Sequence, residues 1–186
     1  MGAVRTKRLA ADYDIEIVLV HFPLHPETPR EGRTLQALFA GRSDILDDMK
    51  IRLTRLMAEE GLPYGDRTHT YNSRLAQELG KWAETQLGGE AIHDALFRGY
   101  FVDNVNLADI DQLVGIAAAV GLDSSAARRI LTERTHKAGV DEDWRKSVEY
   151  GVMGVPTYVS GGIRVTGAQP YDTLEHLAIA AGAERR

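Results

Sequence analysis

Strand character gathers near the two ends of this sequence, and the long stretch between them carries helical periodicity. The first run, Ile15-Glu-Ile-Val-Leu-Val-His-Phe22, is β-branched and almost continuously apolar, which suits a strand covered on both faces of a sheet. Pro23, Pro26 and Pro29 follow it. Proline removes a ladder donor and drives its predecessor toward extended geometry, so residues 23–32 read as a rigid loop. At the other end, Thr157-Tyr-Val-Ser160 and Ile163-Arg-Val-Thr166 flank Gly161-Gly162, a hairpin signal. Strands of one sheet separated by a run of helices imply an α/β domain interrupted by a helical insertion.

The helical block begins near residue 34. Leu35, Leu38 and Phe39 share one face; Ile45, Met49, Leu53, Leu56 and Met57 form the next, closed by Gly61 and Pro63. Asn72 or Ser73 caps a helix carrying Leu75, Ala76, Leu79, Trp82, Ala83 and Gln86, and Gly88-Gly89 stops it. Ile92, Leu96 and Phe97 mark a further helix. Residues 106–120 carry another, with Ile110, Leu113, Val114 and Ala117 inward; Asp109 and Asp111 there suit capping or a solvated face, as does Asp103 just before it. Asp123 or Ser124 caps a helix with Ala127, Ile130 and Leu131, and residues 141–150 form a last one with Trp144 and Val148 on one side. No strand is expected within this block. After the hairpin, Pro170 opens a final helix with Leu174, Leu177, Ala178 and Ala181 inward. Residues 1–14 look like the end of a helix without a capping residue at its start.

Composition narrows the chemistry. Lys and Arg total 22 against 27 Asp and Glu among 186 residues, a net charge of −5, which argues against a nucleic-acid footprint. No stretch approaches the roughly 18 apolar residues of a membrane span, and no leader pattern is seen, so a cytoplasmic protein away from the membrane is expected. The chain has no cysteine, hence no disulfide framework and no thiolate-held metal. The six histidines, His21 and His25 among them, show no tight metal-ligand spacing, so no metal is expected.

Val155-Pro156 is the dipeptide of most interest. Taken alone it fits a trans proline opening an edge strand, since only about 5–6% of X–Pro bonds are cis. A cis bond would turn the Val155 N–H and C=O toward a groove, where an extended peptide can pair by strand addition.

The surrounding residues change the weighting. Gly151-Val-Met-Gly-Val-Pro-Thr-Tyr-Val, then Gly161-Gly162, then Val165-Thr-Gly-Ala-Gln-Pro-Tyr171, resembles the DsbA-like thioredoxin family. Within it the chain is most similar to the branch of FrnE-type proteins and 2-hydroxychromene-2-carboxylate isomerases. Phe22-Pro-Leu-His-Pro-Glu-Thr-Pro29, Asn72-Ser-Arg-Leu-Ala-Gln-Glu-Leu79 and Leu96-Phe-Arg-Gly-Tyr-Phe101 share that resemblance, so it covers nearly the whole chain. It implies a thioredoxin-like α/β sheet with a large all-helical insertion. The thioredoxin-like domain is then discontinuous, residues 1–33 with 151–186, and the insertion spans 34–150. It also implies a first strand leading into Cys-x-x-Cys at a helix start; both the strand and the motif are missing here, as in an N-terminally truncated or degenerate member.

Function follows from that departure. Disulfide exchange needs an attacking thiolate, so a DsbA-family thiol–disulfide oxidoreductase of this sequence is expected to be inactive in exchange, with no catalytic residue of its own. The resemblance implies Gly154, Val155, Pro156 and Thr157 as substrate-binding residues, with His21 at the end of the early strand. The implied substrates are thiol- or disulfide-containing proteins, peptides or small molecules. Two alternatives stand beside it: a glutathione-dependent isomerase or transferase, for which glutathione is the implied cofactor, and a non-catalytic peptide-binding protein. A strand edge left open by the missing element allows a homodimer.

Overall fold

The computed structural model describes residues 1–40 and 42–186. Along the chain the elements are α1 (Gly2–Asp12), β1 (Arg33–Thr34), α2 (Leu35–Leu38), α3 (Ser43–Glu59), β2 (His69–Thr70), α4 (Arg74–Ala83), α5 (Ala91–Phe101), α6 (Ile110–Ala119), α7 (Ser124–Glu133), α8 (Lys137–Glu149), β3 (Thr157–Ser160), β4 (Ile163–Thr166) and α9 (Tyr171–Ala180). They divide into two units, residues 1–24 with 143–186 and residues 25–142. No helix among the described residues is long and apolar enough to cross a membrane.

In the discontinuous unit, α1 and α9 bury Leu9, Tyr13, Leu174 and Ala178 in one cluster. Ile15, Tyr158, Val165, Tyr171 and Ala183 pack against it. α1 starts at Gly2, and its N-cap Met1 makes no side-chain cap bond. The antiparallel β3–β4 hairpin pairs Thr157 with Thr166 through Ser160 with Ile163, and Gly161 and Gly162 take φ of 55° and 77°. Two positive φ values in succession make the primed turn that matches strand twist, which glycine adopts without a Cβ penalty.

The expected strand at residues 15–22 is a correction. That segment joins no ladder among the described residues; β3 pairs with β4, and β1 with β2. β-branched residues favour extended backbone, but a strand exists only where a neighbour takes its N–H and C=O groups.

The unit of residues 25–142 is built on Leu79, Ala83, Ile92, Leu113, Ala117, Ala127 and Leu131, drawn from α4 to α7. Its helix starts follow the capping chemistry of the sequence. Asp109 accepts from the Gln112 N–H at 3.0 Å, and Asp123 from the Ala126 N–H at 2.8 Å. Asn72, rather than Ser73, receives the Arg74 N–H at 2.9 Å, while its Nδ2 donates to the carbonyls of Pro26 and Thr28 and so ties the proline loop down. Asp103 and Asp111 face Arg98 and Arg128.

Four further expectations need correcting. The block contains a short antiparallel ladder, Arg33 with Thr70 and Thr34 with His69, formed where residues flanking the loops run side by side. Ile45 is exposed and Leu46 is half-buried on the α3 stripe instead. Phe97 is exposed while Gly99 is buried, its missing side chain admitting Ile116 and Val105. α8 begins at Lys137, not near 141, and Val148 lies exposed while Asp143 and Ser147 are buried, so the covered face of its second half is polar.

Candidate substrate-binding loop

The loop of residues 151–156 is held at both ends. Gly151, at φ 63°, ends α8: its N–H donates to Val148 C=O at 2.8 Å, and the Val152 N–H reaches Ser147 C=O at 2.9 Å. Arg164 on β4 donates from Nη1 to the carbonyl of Tyr150 at 2.7 Å and also to that of Gly151. A cation at these carbonyls satisfies groups the helix end leaves over and complements its partial negative charge. At the other end, Thr157 Oγ1 donates to Gly154 C=O at 2.6 Å, and the Gly167 N–H donates to Pro156 C=O at 2.8 Å.

Between these anchors the chain is open. The Val155–Pro156 bond is cis. Met153 is 94% exposed and Val155 49%. Among the described residues, neither the N–H nor the C=O of Val155 makes a hydrogen bond. One residue thus presents a donor and an acceptor together, immediately before β3, beside exposed apolar side chains. A donor and an acceptor so placed are the groups that strand addition uses.

Gly154, Val155, Pro156 and Thr157 are contiguous in this loop. His21 is placed through a different contact: its ring Nδ1 lies 2.8 Å, and its backbone N–H 3.1 Å, from Oδ2 of Asp143 on α8, the helix that leads into the loop. Sequence reading missed Asp143 and Arg164. The only signal for Asp143 is its i, i+4 spacing with Ser147 on a helix; for Arg164 it is a cation on a strand beside a helix end. A cavity of about 720 Å³ lies nearby, lined by Glu149, Tyr150, Ser160 and Arg164 among others. It excludes Val155 and Pro156, so the open backbone, not the cavity, marks the candidate site.

A hairpin packed on α9 and α1 and preceded by a loop with a cis proline, in a unit whose chain is interrupted by residues 25–142, is a thioredoxin-type arrangement. The chain belongs to the DSBA-like thioredoxin domain family, which matches residues 1–178. The crystal structure of a probable DsbA oxidoreductase from Streptomyces coelicolor superposes with a TM-score of 0.87 at 27% identity, over 97% of this chain and 83% of that one. A 2-hydroxychromene-2-carboxylate isomerase shares the fold, with a TM-score of 0.74 at 24% identity over 97% and 87% of the two chains. Among curated proteins, the uncharacterized protein YwbO of Bacillus subtilis is 29% identical over 108 residues, 58% of this chain. The chain spans about half the length of that relative, 54%.

Proposed function

We propose that this chain is a substrate-holding DsbA-type domain. It binds an extended, thiol- or disulfide-bearing polypeptide along the backbone of Val155, and these 186 residues perform no thiol–disulfide exchange by themselves. The observation that carries the reading is the unpaired N–H and C=O of Val155 on an exposed loop. Gly154 and Thr157 fix the loop through their mutual hydrogen bond, Pro156 withholds a competing donor, and His21 braces α8 through Asp143. Exchange requires a thiolate to attack and a sulfur to leave, and the chain contains no cysteine.

Glutathione fits only in part. Its peptide backbone matches the Val155 pair as any extended peptide does. At the start of α1 the group that stands close is the Tyr158 hydroxyl, 2.6 Å from where a Cβ on Gly2 would lie, and the chain has no cysteine to pair with a bound sulfur.

The test is titration of the chain with a fluorescent, reduced and alkylated unfolded polypeptide. Saturable binding is expected, weakened roughly tenfold or more by Val155→Pro, which deletes the N–H. Insulin reduction is expected at background. Absence of binding, an unchanged Val155→Pro variant, or reduction above background would each overturn the reading.

A further inference from the structure

The chain has no cysteine and four methionines, so the sulfur it carries is all thioether. Met1, Met49 and Met57 are half-buried, the last two on the apolar stripe of α3. Met153 is 94% exposed and stands two residues before Val155, in the loop with the open backbone. Gly154, between them, has open space where a Cβ would lie, so a chain paired with Val155 can approach past it. Methionine is unbranched and polarizable, and it suits surfaces that must accept varied apolar partners. Its oxidation puts a polar, chiral sulfoxide in place of that apolar contact, and the change is reversible. At Met49 or Met57 a sulfoxide would disturb helix packing. At Met153 the fold has almost nothing to lose, because the side chain is nearly all in solvent.

We propose that Met153 is a reversible oxidation site that sets how tightly the loop holds a polypeptide. The proposal rests on the reading of Val155 as the pairing residue. With the thioether reduced, Met153 packs on apolar side chains of the held chain while Val155 pairs with its backbone. The oxidant is a hydroperoxide. For hydrogen peroxide, the Met153 sulfur attacks one peroxide oxygen with a lone pair, the O–O bond breaks and an S–O bond forms. Water leaves with both peroxide protons. The sulfur is oxidised by two electrons and the peroxide is reduced by two. The sulfoxide oxygen then needs water or a donor where the held chain offers carbon, so the polypeptide is released more readily. A dithiol acting through sulfoxide reductases for the two epimers reverses the step.

The test combines peptide mapping with binding. After graded hydrogen peroxide and desalting, mass spectrometry should find oxygen on Met153 well before Met49 or Met57, with the circular dichroism spectrum unchanged. The Kd for the fluorescent, reduced and alkylated polypeptide should rise about fivefold on oxidation. It should return to its starting value after treatment with both reductases and dithiothreitol. Met153→Gln, polar and of similar length, should show the weaker binding without peroxide. Met153→Leu, which has no thioether, should show one Kd before and after peroxide. Oxygen appearing first on Met49 or Met57, an oxidised chain that binds as tightly as the reduced one, or a Met153→Leu chain that still weakens with peroxide would overturn the proposal alone. An untreated native chain that binds no polypeptide would overturn the Val155 reading and this proposal together.

Discussion

His21 and Asp143 are joined twice through one oxygen: the ring Nδ1 and the backbone N–H of His21 both reach Oδ2 of Asp143, at 2.8 and 3.1 Å. A carboxylate oxygen only accepts, so Nδ1 carries a proton. Asp143 is buried and the His21 side chain is only 15% exposed, so removing the acceptor breaks two hydrogen bonds in a site with little water. Asp143→Ala should therefore cost about 2 kcal/mol in urea unfolding. Asp143→Asn, which keeps an oxygen acceptor, should cost less. Equal losses in the two variants would mean that packing, not hydrogen bonding, is what Asp143 supplies.

Glu78 on α4 is fully buried and held by two arginines: Arg74 Nε donates at 2.8 Å, and Arg134 donates from Nε at 2.7 Å and Nη2 at 2.6 Å. Burial pushes its carboxyl pKa up, but hydrogen bonds from Arg134 and Arg74 outweigh burial and hold it below the ordinary value. The folded pKa is depressed, so the stabilisation is present above the ordinary carboxylate pKa and fades as pH falls through the lowered one. Unfolding free energy measured from pH 7 downward should fall across that acid window. Glu78→Gln should flatten that part of the profile and cost about 1–3 kcal/mol at pH 7, since Arg74 keeps its pairing with Asp141 and Arg134 is 40% exposed to water. A variant with an unchanged acid profile would show that another group titrates.

How much of this was legible in the sequence depended on whether the cause was local. Gly161-Gly162 carried its own turn chemistry, and Asp109 and Asp123 named their helices because a cap acts within one turn. The family, and the loop at residues 151–157, were legible from motif order. Residues 15–22 were misread because apolar β-branched composition states a preference while a ladder requires a partner elsewhere. Phe97 and Val148 were misread because either of two faces satisfies the period, and the packing of neighbouring elements decides between them. The His21–Asp143 contact spans 122 residues and leaves no periodic trace. Nor does Arg134 betray that it ends α7 in the left-handed conformation usual for glycine while its guanidinium binds Glu78.

Gly151 and Arg164 form a single closure at the end of α8. An added Cβ at Gly151 would sit 2.5 Å from Arg164 Nη1, at a φ of 63° that side chains disfavour. Gly151→Ala should therefore destabilise by about 1–2 kcal/mol from backbone conformation alone. Arg164→Ala, which releases the Tyr150 and Gly151 carbonyls, should cost about 1 kcal/mol. Because both changes relax the same closure, the double variant should lose less than the sum of the single losses in thermal or urea denaturation; strict additivity would show that the two residues act independently.

Tyr171 at the start of α9 donates its hydroxyl to Asp12 at the end of α1, and Arg8 lies 3.9 Å over its ring. The hydrogen bond to Asp12 is the chief reason its pKa is pushed up to about 12 from an ordinary 10.0, with burial and the charges of Asp12 and Glu175 adding to it. Raising the folded pKa favours the neutral phenol in the folded state. The resulting stabilisation is complete below the unfolded value and is lost as pH rises through the folded one. Absorbance titration at the phenolate band should show one tyrosine ionising last, and Tyr171→Phe should remove it while making α1–α9 docking insensitive to pH between about 10 and 12. Asp12→Asn should bring the Tyr171 titration back toward its ordinary range; a titration unmoved by that change would mean that burial, not Asp12, holds the proton.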